Sequence, residues 1–137
     1  MTTLPLCEEE RLSVIKNVVN GKAISEFLKF LREAEGDNLL QVVLYGSVAR
    51  GDDRADSDID IFILLKNHDK TETEKVITED KILGIASRVE DLNSHQVYIC
   101  PLIRSEKEFM ENKTRSLIYY NIADEGILLY AQDTKGA

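Results

Sequence analysis

Tryptophan is absent from this chain, and cysteine, proline and histidine occur only twice each. Cys7 and Cys100 are too few for a disulfide framework and have no CxxC spacing, which argues against a stapled secreted scaffold and a zinc site. A reducing cytoplasm is the default compartment. Basic residues are also scarce: 17 Lys and Arg stand against 25 Asp and Glu, a net charge of −8. Broad contact with a nucleic-acid backbone needs the opposite surface, so direct nucleic-acid binding is not expected and a basic protein partner fits better. No apolar run has the length of a membrane span. Met1 to Glu10 has neither the basic start nor the apolar core of a signal peptide. What remains, 43% hydrophobic and 31% charged residues in 137, is ordinary for one globular domain spanning residues 1–137.

The chain is organised around Val42 to Leu65. Val42-Val43-Leu44-Tyr45 reads as the end of a buried strand, Gly46-Ser47 as a tight turn opening a short helical or irregular connection, and Ser57 to Leu65 as a second strand that carries two carboxylates at its start. Strand side chains alternate between faces, so Asp58 and Asp60 project from one side about 6.5–7 Å apart. Two carboxylates so placed repel each other unless a cation lies between them. Oxygen ligands on a rigid edge suit Mg²⁺, which takes one or two carboxylates and completes its shell with water and phosphate oxygens. At Gly46-Ser47 the backbone can approach an anion closely, with free N–H groups and a hydroxyl directed at it. Arg50 and Arg54 could neutralise triphosphate charge or pair with the nearby aspartates.

Two other motifs share some of these residues. Asp56-Ser57-Asp58-Ile59-Asp60 opens like an EF-hand loop, but the sixth position is Ile61 and the twelfth is Asn67, where Gly and Glu are required. A P-loop needs Gly-Lys-Ser/Thr, which the chain lacks. A merely solubilising acidic loop would leave the adjoining Gly-Ser turn without a purpose.

Gly46-Ser47-Val48-Ala49-Arg50-Gly51 followed by Asp58-Ile59-Asp60 resembles the signature of the polymerase-β-type nucleotidyltransferase superfamily. The small size resembles its minimal nucleotidyltransferase branch, found in prokaryotes and often paired with a helical HEPN protein in toxin–antitoxin modules. The resemblance implies an α/β (α+β) nucleotidyltransferase fold, a small mixed sheet flanked by helices, with a catalytic core over 39–130. It implies that Asp58 and Asp60 bind the catalytic Mg²⁺, that Gly46 and Ser47 hold the phosphates of ATP, and that Arg50 and Ser57 belong to the nucleotide site. AMP would pass from ATP to a tyrosine hydroxyl of a HEPN toxin, making the chain a cytoplasmic antitoxin. Larger relatives carry extra domains for the acceptor, so here the partner is expected to supply it. The alternatives are a non-catalytic antitoxin that masks its partner sterically, and a nucleotidyltransferase acting on a small molecule or RNA. The family usually has a third acid on the neighbouring strand. Alignment on Pro101 puts that position at or near Tyr98, with Gln96 on the same face, and neither is acidic; Glu90 and Asp91 come too early.

Periodicity fills in the rest. N-terminal helices are expected over 8–36: one from Glu8 to Asn20 with Leu12, Ile15, Val18 and Val19 on one face, a break at Asn20-Gly21, and a second from Lys22 to Glu35 stopped by Gly36. Thr71 to Asp91 reads as a helix packed through Val76, Ile77, Leu83, Ala86 and Val89. His95 to Ile103 is the third strand. Ser105 with Glu108 forms a capping box for a helix to about Asn112. A helix from Thr114 to Glu125 ends at Gly126, before Ile127 to Tyr130, a strand or a docked apolar tail. His68 and His95 read as surface residues, Tyr119 and Tyr120 as packing.

Overall fold

The computed structural model describes residues 12, 15–68 and 71–132. Helix α1 spans Val18–Glu35, and a 3₁₀ turn at Gly36–Asn38 leads into strand β1, Leu39–Tyr45. A five-residue helix α2, Gly46–Arg50, precedes β2, Ile59–Leu65. Then come α3, Glu72–Leu92; β3, Ile99–Ser105; α4, Glu106–Asn112; α5, Leu117–Glu125; and β4, Ile127–Ala131. The sheet runs β3-β2-β1-β4. β1 is antiparallel to both β2 and β4, whereas β3 lies parallel to β2, so the sheet is mixed. Among the described residues no helix is long and apolar enough to cross a membrane.

Strand alternation divides the core between two faces. One face carries Ile59, Ile61, Ile63 and Leu65 of β2, with Leu39, Val42 and Leu44 of β1; Ile24, Phe27, Leu28 and Leu31 of α1 and Ile82, Ala86 and Val89 of α3 cover it. The opposite face carries Val43, Phe62 and Leu64 under Tyr119 and Ile122 of α5. There Phe62, Phe109 and Tyr119 meet pairwise, their centroids 5.2–6.0 Å apart. This aromatic cluster seats α5 and sets the position of its C-terminal end beside the β1–α2 turn.

Several expectations are corrected. Residues 8–11, 13 and 14 of the expected first helix lie outside the described residues, and 15–17 are not helical. Its end, Val18 to Asn20, belongs to α1, which runs through Asn20-Gly21 without a break. Asn17 caps α1, its side chain accepting from the amides of Val19 and Asn20. Burial of Ala23, Ile24 and Phe27 outweighs the cost of one helical glycine, about 1 kcal/mol. Val18 and Val19 face solvent. In α3 the inward stripe is Ile82, Ala86 and Val89, while Val76, Ile77 and Leu83 are about half exposed. The third strand starts at Ile99, four residues later than His95, because Ser94 and His95 adopt left-handed backbone (φ 54° and 57°) and turn the chain before it. Helix α5 begins at Leu117 instead of Thr114. Tyr119 packs as expected, but Tyr120 is exposed; His68 is buried, with its Nε2 3.2 Å from Glu79.

The Ser105 capping box forms in full. Its hydroxyl accepts from the Glu108 amide at 3.1 Å, and the Glu108 carboxylate accepts from the Ser105 amide at 3.4 Å. Ser105→Ala is expected to lower stability by about 1 kcal/mol, read as a shift of the urea midpoint at unchanged slope.

Candidate functional site

The turn and the acid pair meet at one end of the sheet. β1 delivers Tyr45 opposite Asp60 of β2, and Asp60 lies opposite Cys100 of β3. The three form a row across the strands, on the face that carries Phe62. Asp58, expected inside the second strand, stands just before it, since β2 starts at Ile59, and is close enough for its charge to act on Asp60. Burial pushes the Asp60 carboxyl up from its ordinary value, the charge of Asp58 pushes it further, and Arg50 pulls it back. The pair thus carries a repulsion that a bound cation would relieve. Among the described residues no three His, Cys, Asp or Glu side chains gather as a ready-made metal cage. Two carboxylates at an open edge suit Mg²⁺ sharing its shell with phosphate and water.

Gly46 is required by its surroundings. It has φ 80°, and a Cβ there would sit 3.2 Å from Asp60 Cγ and closer still to Asp60 Oδ2. Only a residue without a side chain lets the turn lie against the carboxylate. Gly46→Ala is expected to cost about 1–2 kcal/mol from the left-handed backbone and to displace Asp60; thermal unfolding and Mg²⁺ binding measured on one sample would show both. Gly51, also left-handed at φ 79°, closes α2, its amide donating to the Ser47 and Val48 carbonyls.

Ser47 is half-buried in α2. Ser57 is half-buried in the loop before β2, where its hydroxyl accepts from the Arg54 amide at 2.7 Å. That bond pins the loop that carries Asp58. Arg50 extends from the end of α2 and makes two ion pairs, Nε to Asp52 at 3.2 Å and Nη1 to Glu125 at 3.0 Å. Both carboxylates raise its already high pKa, Glu125 more than Asp52. Glu125 also accepts from the Gly46 amide at 3.3 Å. Sequence reasoning missed Glu125, which lies far from the motif in the chain. One signal was present: an acid in the last turn of a helix opposes the helix dipole and needs a partner elsewhere.

The register also shows what β3 sets beside the pair. In the observed register Cys100, and not Tyr98, stands beside Asp60. Tyr98 precedes β3, and its carbonyl accepts from the Ile59 amide at 2.7 Å. Burial, followed by the charges of Asp60 and Asp58, pushes the Cys100 thiol up and keeps it neutral at ordinary pH. Burial and then Asp60 push the Tyr45 phenol to about 12. The side chains flanking Asp60 in the row thus add no charge at neutral pH. Glu90 is structural: its carboxylate accepts from the Ile99 amide at 2.9 Å, at the start of the edge strand.

A family profile described as nucleotidyltransferase domain matches residues 24–129. The chain belongs to this family. Two proteins of Methanocaldococcus jannaschii, both named as candidate protein adenylyltransferases, resemble this nucleotidyltransferase. One is 29% identical over 109 residues, covering 80% of this chain and 96% of its own. The other is 38% identical over 80 residues, covering 58% and 74%. Among solved structures, a chain in a crystal structure of the MntA–HpeT toxin–antitoxin aligns over 79% of this nucleotidyltransferase and 73% of its own length. Its TM-score is 0.50 at 13% identity, a likeness of fold. The sequence motif, the mixed sheet and the family match agree on a minimal nucleotidyltransferase.

Proposed function

We propose that this nucleotidyltransferase moves AMP from ATP, with Mg²⁺, onto a tyrosine hydroxyl of a HEPN-type toxin partner and so acts as its antitoxin in the cytoplasm. The observation that carries the reading is the packing of Gly46 against the Asp60 carboxylate. It brings the phosphate-holding turn and the cation-holding pair to one point. Asp58 and Asp60 would hold Mg²⁺, which when bound neutralises triphosphate charge and polarises the α-phosphorus. The Gly46 amide, the Ser47 hydroxyl and Arg50 would take phosphate oxygens, and Ser57 would keep the Asp58 loop in place. The acceptor oxygen bonds to the α-phosphorus as the bond to the bridging α–β oxygen breaks; pyrophosphate leaves and the hydroxyl proton passes to solvent. Positioning and charge neutralisation dominate such chemistry, so few protein groups are needed. The names of the Methanocaldococcus relatives support the choice of a protein acceptor, and the toxin–antitoxin neighbour supports a toxin partner.

Cys100 favours a second reading. With a thiol and not an acid paired to Asp60, the chain could bind its partner and mask it without transferring anything. The test is label transfer from ATP marked at the α-phosphate, with Mg²⁺ and a co-purified partner, comparing the native chain with an Asp58→Asn, Asp60→Asn form. Label on the partner that is lost in the double variant supports the transferase. A bound but unlabelled partner supports the masking antitoxin.

A further inference from the structure

Glu125 occupies an unusual position. Its Oε1 accepts from the Gly46 amide at 3.3 Å and from Arg50 Nη1 at 3.0 Å, while Oε2 accepts from the same Nη1 at 3.1 Å. These are two of the groups assigned above to phosphate oxygens. Asp52 takes the Nε of Arg50 at 3.2 Å, so the guanidinium already holds two carboxylates. A phosphate that takes the Gly46 amide and Arg50 Nη1 must displace Glu125 from them. Of the two carboxylates, Glu125 is the one that also covers Gly46.

We propose that Glu125 is an internal stand-in for phosphate: in the nucleotide-free protein its carboxylate closes the Gly46–Arg50 cradle, and the triphosphate displaces it on binding. The inference rests on the nucleotide-binding reading of this site. Its chemistry is an exchange of anions. A carboxylate and a phosphate both accept from an amide and a guanidinium, and a triphosphate brings more charge and more acceptor oxygens than one carboxylate. The latch is seated by the fold. Glu125 is the last residue of α5, which the aromatic cluster holds down, and the Gly126 amide donates to the Ile122 carbonyl at 2.9 Å to finish the helix. A Cβ on Gly126 would come within 2.6 Å of Val43 Cγ1 and would also collide with the Ile122 carbonyl oxygen. Only glycine lets α5 end this close to β1, and this closeness brings Glu125 within reach of Gly46.

A closed latch lowers apparent affinity by the fraction of molecules that are open. Removing it therefore tightens binding: with one molecule in ten to one in three open, the gain is roughly three- to tenfold. The experiment is calorimetric titration of a non-hydrolysable ATP analogue with Mg²⁺ into the native protein, Glu125→Gln and Glu125→Ala, with Asp60→Asn as a control for the site. Both Glu125 variants should bind more tightly than the native chain. In the native protein, amide hydrogen exchange over 122–126 should rise when the analogue saturates the site, because the end of α5 loses its anchor. Equal or weaker binding by the two variants, with the native chain still binding and Asp60→Asn impaired, overturns the latch and leaves the nucleotide site standing; Glu125 would then be a clamp that orients Arg50. No binding by the native chain or either variant overturns both.

Discussion

Replacing Asp58 and Asp60 together by asparagine is expected to reduce nucleotidyl transfer by roughly 10³-fold or more, and to leave a protein that, without Mg²⁺, unfolds at a higher temperature than the native chain. The loss follows from the work assigned to the pair. Charge stabilisation by a bound divalent ion amounts to several kcal/mol, and each 1.36 kcal/mol is a factor of ten in rate. The gain in stability follows from the same geometry. Burial raises the Asp60 carboxyl above its ordinary 3.8, and Asp58 raises it further. Between 3.8 and its raised value the folded protein binds more proton than the unfolded chain, so stability falls as pH rises through that window and stays lower above it. Asparagine cannot ionise, and the penalty disappears. Urea midpoints of the two proteins measured across this window without Mg²⁺ should diverge as pH rises, the double variant staying flatter. Adding Mg²⁺ should raise the midpoint of the native protein and leave the variant where it was. A variant less stable than the native chain at neutral pH without Mg²⁺ would mean that the carboxylates serve as structural hydrogen-bond acceptors, and the cation reading would lose its physical basis.

Such a site, costly to the fold and useful to the chemistry, is where local rules conflict with structure. Much of it was legible. The apolar run into Tyr45, the Gly-Ser turn and the alternation through Asp60 each follow from short-range patterns; β1 stands where they predict, and β2 starts two residues later than Ser57, leaving Asp58 just before it. The Ser105 capping box and the stop at Gly36 are equally local. The failures share a different character. α1 continues through Asn20-Gly21 because tertiary burial on its inner face exceeds a local propensity. Val76, Ile77 and Leu83 have helical spacing but form a second stripe, and spacing does not reveal which stripe meets the sheet. The start of β3 depended on two consecutive non-glycine residues in left-handed backbone, for which the sequence carries little signal beyond the tolerance of His for that region. Glu125 reaches Gly46 across 79 positions. No motif of fixed spacing can express that contact; only the docking of α5 on Phe62 and Phe109 creates it.

The pairing of Cys100 with Asp60 leads to the second large effect. Cys100→Asp is expected to raise the rate of transfer by roughly 10²-fold, the lower range of what a positioned general base contributes. The position is suitable because β3 runs parallel to β2, with Cys100 paired to Asp60 and sharing its face. The present thiol sits in the field of both aspartates, which together with burial hold it protonated. It can neither accept a proton from an attacking hydroxyl nor contribute charge to a cation. An aspartate of similar size would do both, at a cost the first prediction already defines. Without Mg²⁺ a third carboxylate adds to the repulsion at Asp60, so Cys100→Asp should unfold at a lower temperature than the native chain; with Mg²⁺ that difference should shrink or reverse. Single-turnover transfer from α-labelled ATP measures the rate, and paired melting curves with and without Mg²⁺ measure the charge effect. Tyr98→Asp is the control, because it tests the position that alignment on Pro101 suggested. A faster Tyr98→Asp beside an unchanged Cys100→Asp would show that the acceptor hydroxyl approaches from the Asp58 side of the pair. A rise confined to Cys100→Asp would show that it approaches over β3, and that the native chain works with one acid fewer than its family usually has.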